Sequence, residues 1–267
     1  MRSDFTQAGR GSAFFLPVLA TSFFGLQLAV VADWQTAVAP IWVLSVGLGI
    51  VMMIGFVFGV TIRSEKLSLS EAIGPAWFLP GAALEGAVAL GTHVFPGSSG
   101  VMGLALFGGF LLGLLLNLLL LAAVLYRWLF LPMTAEHLVA TNWINMGGFA
   151  IVVVAGVKLS SPRAEPFIVL SWAIATGWLP ILFAAGVWRQ AVRRVPLRYD
   201  AQYWPVVFSS VGYALGTFLL AGASHATALE GVATVFVAFA ASVWVVLMIG
   251  LWRSFLPRVG SSVAARV

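Results

Sequence analysis

The chain has no cysteine, which excludes disulfides, thiol nucleophiles and cysteine-ligated metal. It is also poor in charge: Asp, Glu, Lys and Arg make up 9% of its residues, against 61% apolar. A soluble domain of 267 residues needs a far more polar surface than this composition supplies. Ten-residue segments of alternating polarity, the mark of a transmembrane barrel, are missing as well. So are the groupings that carry catalysis. There is no Walker loop, no Gly-x-Ser-x-Gly elbow and no His-Glu-x-x-His spacing, and His93, His137 and His225 are widely separated. Hydrolysis, ATP-driven chemistry and metal binding have nothing to work with, so neither an enzyme nor a cofactor is expected.

What the chain does have is long apolar runs, reflected in a mean hydropathy of +1.03. Eight are long enough to cross about 30 Å of hydrocarbon: 13–31, 38–62, 73–94, 100–125, 143–159, 166–187, 206–223 and 231–251. The fifth is the shortest, and it opens on Asn142, Trp143 and Asn145. The polar start with Arg2, Asp4 and Arg10 has the look of a secretory signal. However, the run behind it is span-length and ends on no small-residue cleavage site, so it is kept as the first helix. The expected fold is all-α integral membrane, with eight transmembrane helices as four consecutive hairpins. One transmembrane domain (13–253) lies between tails 1–12 and 254–267.

Orientation follows from the positive charges. Of the 14 Lys and Arg, Lys158 and Arg163 fall on one side of the eight-span arrangement and the other twelve on the opposite side. Positive residues stay in the cytoplasm, so both termini are expected there, in a multi-pass protein of the cell (inner, plasma) membrane. The net charge of +5 then mostly reports topology. Arg189, Arg193, Arg194 and Arg198 form its densest cluster. They read as a topogenic signal with attraction to anionic headgroups, and are compatible with a basic mouth that concentrates anions. Because the basic residues flank spans, no nucleic-acid partner is expected.

Odd and even runs differ. The odd ones carry breakers and polar groups: Pro17 with Thr21 and Ser22, Pro80-Gly81 with Glu85, Asn145 with Gly147-Gly148, and Ser209-Ser210 with Gly212 and Tyr213. Such groups are tolerated in hydrocarbon where protein or water covers them, which makes the odd helices an inner, path-lining layer. Thr21, Asn145, Ser209, Ser210 and Tyr213 are its candidate lining residues. Glu85 is the one acid near the middle of a run. It reads either as a proton-titrating or pore-facing group or as a packing residue bonded to a neighbouring helix. Phe208, just before Ser209-Ser210, could close a narrow pore by excluding water, or face lipid as an ordinary membrane phenylalanine. Asn117 reads as a helix-bridging amide, and the Gly55/Gly59, Gly109/Gly113 and Gly212/Gly216 pairs as close-packing positions.

The segment Tyr199-Asp200-Ala201-Gln202-Tyr203-Trp204-Pro205-Val206-Val207-Phe208-Ser209-Ser210-Val211-Gly212-Tyr213 resembles a family signature, Tyr-Asp-Pro-x-Tyr-Trp-Ser-x-Val-Phe-Pro-Leu-Gly-Met-Tyr. The family is that of the tellurite-resistance/C4-dicarboxylate transporters, which includes plant slow anion channels and fungal malate permeases. Two stretches agree in the same order: Tyr126-Arg127-Trp128 before Asn142-Trp143-Ile144-Asn145-Met146-Gly147, and Trp178-Leu179-Pro180 before Gly186-Val187-Trp188-Arg189. The resemblance implies ten helices as five hairpins around a pore, commonly in trimers, and this chain matches the last eight. Either four hairpins close differently, or a partner supplies the fifth, or the chain is a shortened form.

The resemblance also implies that Phe208 matches the phenylalanine that occludes the family's pore. Ser209, Pro205 and Val211 stand where the signature has Pro, Ser and Gly. The expected function is transport of a small anion, such as malate or another C4-dicarboxylate, with protons as a candidate co-substrate, by a homo-oligomer in the lipid bilayer. The alternative is a non-conducting or partner-dependent membrane subunit.

Overall fold

The protein is described by a computed structural model covering residues 12–64 and 73–255. Most of the expected tails, with Arg2, Arg10, Arg258 and Arg266, and also Lys66, lie outside the described residues. The described residues form eight α-helices: α1 (Leu16–Val30), α2 (Gln35–Thr61), α3 (Phe78–Val94), α4 (Gly100–Phe130), α5 (Trp143–Leu159), α6 (Glu165–Val187), α7 (Trp204–Ser224) and α8 (Ala228–Phe255). Helix is what the composition requires. An apolar run of this length can satisfy its N–H and C=O groups in hydrocarbon only within one helical segment or in a closed barrel.

Each expected run becomes one helix, and seven helical segments are long and apolar enough to cross a membrane. The exception is α3. It has only 17 residues, one of them Glu85, and it starts at Phe78 rather than at the expected Ile73. Gly74 is extended and Pro75 opens a 3-10 turn, Pro75–Trp77, so the α-helix is delayed. The even helices overrun their apolar runs instead. With 31 residues, α4 is about 46 Å long at 1.5 Å per residue.

All four odd helices are entered through a 3-10 turn: Ser12–Phe15, Pro75–Trp77, Ala140–Asn142 and Ala201–Tyr203. Three of these entries share an aromatic followed closely by proline, Phe15-Leu16-Pro17, Phe78-Leu79-Pro80 and Trp204-Pro205. Proline is harmless in a first turn, where the N–H has no intrahelical acceptor.

Ring contacts fix the alternation of direction. Trp77, entering α3, meets Phe56 near the end of α2 at 5.2 Å, while Phe95, leaving α3, meets Trp42 near the start of α2 at 5.1 Å. Arg127 at the end of α4 donates to the Ile73 carbonyl at 3.0 Å. Thus α3 runs the height of the bundle, antiparallel to α2 and α4, and the chain forms consecutive hairpins.

The helices sort into two layers. In the inner one, α1, α3, α5 and α7 pack in series. Outside them, α2 lies on α1 and α3, α4 on α3 and α5, α6 on α5, and α8 on α7. The span containing α5 has 78% of its residues buried, against 17% for α2 and for α8, so the even helices form the lipid-facing layer. Small residues allow the inner backbones to approach closely. A Cβ added to Gly216 of α7 would lie 3.1 Å from the Ala150 carbonyl of α5, whereas one added to Gly222 would meet nothing within 4 Å. Overpacking a close contact destabilises by about 1–3 kcal/mol. Gly216→Leu is therefore expected to lower the melting temperature of the detergent-solubilised protein, with Gly222→Leu near wild type.

Candidate functional site

The inner layer converges on one side chain. Ile151 of α5 clusters with Phe15, Val18 and Leu19 at the start of α1 and with Leu79, Ala82 and Ala83 of α3. Its Cδ1 also lies where a Cβ on Gly212 of α7 would be 3.1 Å away. Ile151 is 1% exposed, so apolar atoms fill the space between the four inner helices at its level.

Below this plug, toward the ends where α5 and α7 begin, the lining changes character. Asn145 lies in the first turn of α5, and Ser209 and Ser210 in the second turn of α7. All three are buried, yet the Asn145 amide and both serine hydroxyls have no hydrogen-bond partner among the described residues. Leaving one such group unbonded costs about 1–3 kcal/mol, so a buried water or a bound ion is the natural partner for these groups. Ser209 stands directly against Gly147, where no larger residue would fit.

Phe208 occupies the seam between the two ends of the inner arc. Its ring meets that of Phe23 on α1 edge-on, with centroids 6.1 Å apart and planes at 82°. It is 36% exposed, the mark of a sparse boundary; α5 against α7, in contrast, is tightly packed.

Two of the expected path residues, Glu85 and Tyr213, are directed toward outer helices. Glu85 is fully buried between α3 and α4, where a Cβ on Gly113 would sit 2.5 Å from its Oε1. It faces the outer layer because Gly113 leaves a socket for the carboxyl group. One turn away, Asn117 of α4 donates to the Gly148 carbonyl of α5 at 3.4 Å, the expected helix-bridging amide. The Tyr213 hydroxyl pairs with Thr176 of α6 at 2.8 Å, and its ring packs on Phe236 of α8 at 4.7 Å, so this side chain too points outward. Thr21 donates to the Pro17 carbonyl of its own helix at 2.8 Å. Asn145, Ser209 and Ser210 therefore remain as the partnerless buried polar groups of α5 and α7, with Phe208 next to Ser209 in the chain.

Residues 1–252 match the family model described as SLAC1, voltage-dependent anion channel. The chain belongs to this anion-channel family. It is similar to an uncharacterized membrane protein of Mycobacterium tuberculosis, found in strains H37Rv and CDC 1551, with 29% identity over 150 residues, 52% of this chain and 76% of that protein. An uncharacterized transporter of Methanocaldococcus jannaschii is 28% identical over 170 residues, 59% of this chain and 49% of the transporter. No solved structure matches significantly.

For a member of an anion-channel family, the basic segment after α6 is of interest, and it is more ordered than the expected loop. It opens as a π-helical turn, Trp188–Val192. Arg189 donates to the Ala135 carbonyl at 3.2 Å and to the Tyr203 hydroxyl at 3.3 Å, tying this segment to the entry of α7. Arg193 stacks over Trp188, 4.8 Å from the ring centroid. Arg189 thus braces the entry of α7, the helix that carries Phe208, while Arg193 packs within the basic segment itself.

Phe23 and Ile151 escaped the sequence reading because an apolar residue in an apolar run carries no signal. With Glu85 in an interlayer socket, Glu85→Gln keeps its volume and is expected to leave both the melting temperature, within about 2 °C, and the pH profile of anion flux unchanged. A shifted profile between acid and neutral pH would instead assign Glu85 to proton coupling.

Proposed function

We propose that the protein moves small anions across a bilayer along the axis of its inner layer, as a channel or carrier closed in this conformation. The observation that supports this reading most directly is the set of buried, partnerless polar groups, Asn145, Ser209 and Ser210, on the inner helices of a chain from an anion-channel family. Backbone dipoles and hydroxyls suit an anion whose charge must be met without a buried cation, and no Lys or Arg lies in the middle of any of the eight described α-helices.

In this reading α3 is the eighth span. Thirteen of its 17 residues are buried by other helices, so it needs neither the length nor the hydropathy that lipid demands. Seven described arginines, Arg63, Arg127, Arg189, Arg193, Arg194, Arg198 and Arg253, lie at one end of the bundle, and Lys158 and Arg163 at the other. The positive-inside rule then puts the Arg-rich end, and both termini, in the cytoplasm. The substrate we favour is a C4-dicarboxylate such as malate, on the resemblance described above, and the same resemblance favours a homotrimer in the plasma membrane.

Phe208 acts as the gate, with Phe23 as its partner across the α1/α7 seam and Ile151 as the plug above. Removing the Phe208 ring would admit water beside Ser209. Phe208→Ala is therefore expected to raise anion flux into proteoliposomes several-fold, by analogy with the steep dependence of dewetting on an apolar constriction. Equal flux for the variant and wild type would count against the gate. The outward stripe of α7, with Phe208, Val211, Leu215 and Phe218 all exposed, supports the second reading, a subunit that needs a partner to conduct. Flux from the purified chain alone, across chloride, nitrate, malate and succinate, separates the two.

A further inference from the structure

The two cations of the Arg-poor end converge on one cavity. Lys158, at the end of α5, and Arg163, in the turn before α6, both line a basin of about 1010 Å³ together with Ser98, Ser99, Ser160 and Ser161. The basin lies between the loop joining α3 to α4 and the loop joining α5 to α6. It is at the upper limit of the size range of small-molecule sites, about 300–1,000 Å³.

Its chemistry has one sign. This end also carries Asp33, Glu165 and Glu230, but no carboxylate lines the basin. Asp33 is held away by Gln35, whose Nε2 donates to it at 3.0 Å, and Glu165 lines a separate adjoining cleft. Among the described residues, Lys158 and Arg163 make no ion pair or hydrogen bond, and neither do the hydroxyls of Ser98, Ser99 and Ser161. The contrast with the Arg-rich end is sharp. There Arg127 and Arg189 already donate to protein oxygens and Arg193 stacks on Trp188. Two uncommitted cations and three uncommitted hydroxyl donors facing one cavity are the requirements of an anion site. The N-terminus of the 31-residue helix α4 opens on this basin, with Ser99 at the N-cap position but making no side-chain capping bond, and adds a favourable dipole.

We propose that this basin is an anion-binding vestibule, and that Lys158 and Arg163 together make it prefer a small dianion, of the dicarboxylate class, over a monoanion. The proposal rests on the anion-transport reading for its purpose, as the place where substrate is captured or released at the end opposite Phe208. Its binding chemistry can be measured independently of transport.

The test is calorimetric titration of the purified full-length chain in detergent with succinate and, separately, with chloride. Wild type is expected to bind succinate more tightly than chloride. The double variant Lys158→Gln/Arg163→Gln should bind succinate about a hundredfold more weakly or worse, the loss expected for two charge-assisted hydrogen bonds. The charge-keeping pair Lys158→Arg/Arg163→Lys should retain binding, and a wild-type melting temperature for both variants would show that the fold is kept. Equal succinate affinity in the double Gln variant, no binding by wild type, or chloride bound as tightly as succinate would overturn the vestibule as described. Flux from the same preparations separates the two readings. Succinate binding without flux would sink transport and leave the basin, whereas flux with unchanged binding in the variant would do the reverse.

Discussion

The fold depends on how closely other backbones can approach α5. Within a bilayer the hydrophobic effect does not drive helices together, because lipid tails are as apolar as leucine, so contact area and interhelical hydrogen bonds must hold the bundle. Where α7 crosses α5, Gly147 receives the Ser209 side chain and Gly216 faces the Ala150 carbonyl beside Val153, so the two helices approach closely because each glycine has no side chain of its own. Polar ties then lock the outer layer to the inner one. Ser22 and Ser45 share a hydrogen bond of 2.6 Å between α1 and α2. Trp42 of α2 donates to the Ala87 carbonyl of α3 at 3.0 Å, and Trp172 of α6 to Thr217 of α7 at 3.0 Å. Each such bond contributes about 0.6–2 kcal/mol in a membrane, and together they fix the register of the two layers.

The same arrangement explains why the inner helices have unusual sequences. A helix covered on all sides by protein is released from the demand for lipid solubility, so α3 can be short and carry Glu85, Pro80 and three glycines, and α5 can begin with Trp-Ile-Asn. The outer helices bear the opposite demand. They are long, apolar throughout and exposed, with Leu104, Leu112, Leu115 and Leu119 of α4 all open to the surroundings. Sequence character thus follows from which solvent each helix meets.

That is why the layering was legible in the sequence while the direction of individual side chains was not. Proline, glycine and hydroxyl residues accumulate in the odd runs, and they mark shielding by protein whichever protein face supplies it. Glu85 shows the limit of this signal. A carboxyl group in a span must be covered, but coverage by Gly113 on the outer side and coverage by a path on the inner side leave the same trace in the chain. Tyr213 misled in the same way, since its partner Thr176 lies on the preceding hairpin. The basic segment is a third case: spacing along the chain reveals four arginines but not that Arg189 is spent on the Ala135 carbonyl and the Tyr203 hydroxyl.

The seam between α1 and α7 differs from every other boundary of the inner layer. From α1 to α3, α3 to α5 and α5 to α7 the helices pack extensively along their lengths, so parting any of these pairs would expose many close contacts at once. At the seam the described contact is an edge-on pair of rings, Phe23 and Phe208, worth about 0.5–1.5 kcal/mol beyond the area it covers. A movement that frees the partnerless hydroxyls of Ser209 and Ser210 and the amide of Asn145 therefore loses least packing if α7 turns or slides against α1. The arginine bracing at its entry, through Arg189 and Tyr203, sets how far the start of α7 can go. In the proposed transport reading, Phe208 need not be the narrowest point to act as a gate; it need only be the side chain whose displacement lets water reach the polar groups beneath Ile151.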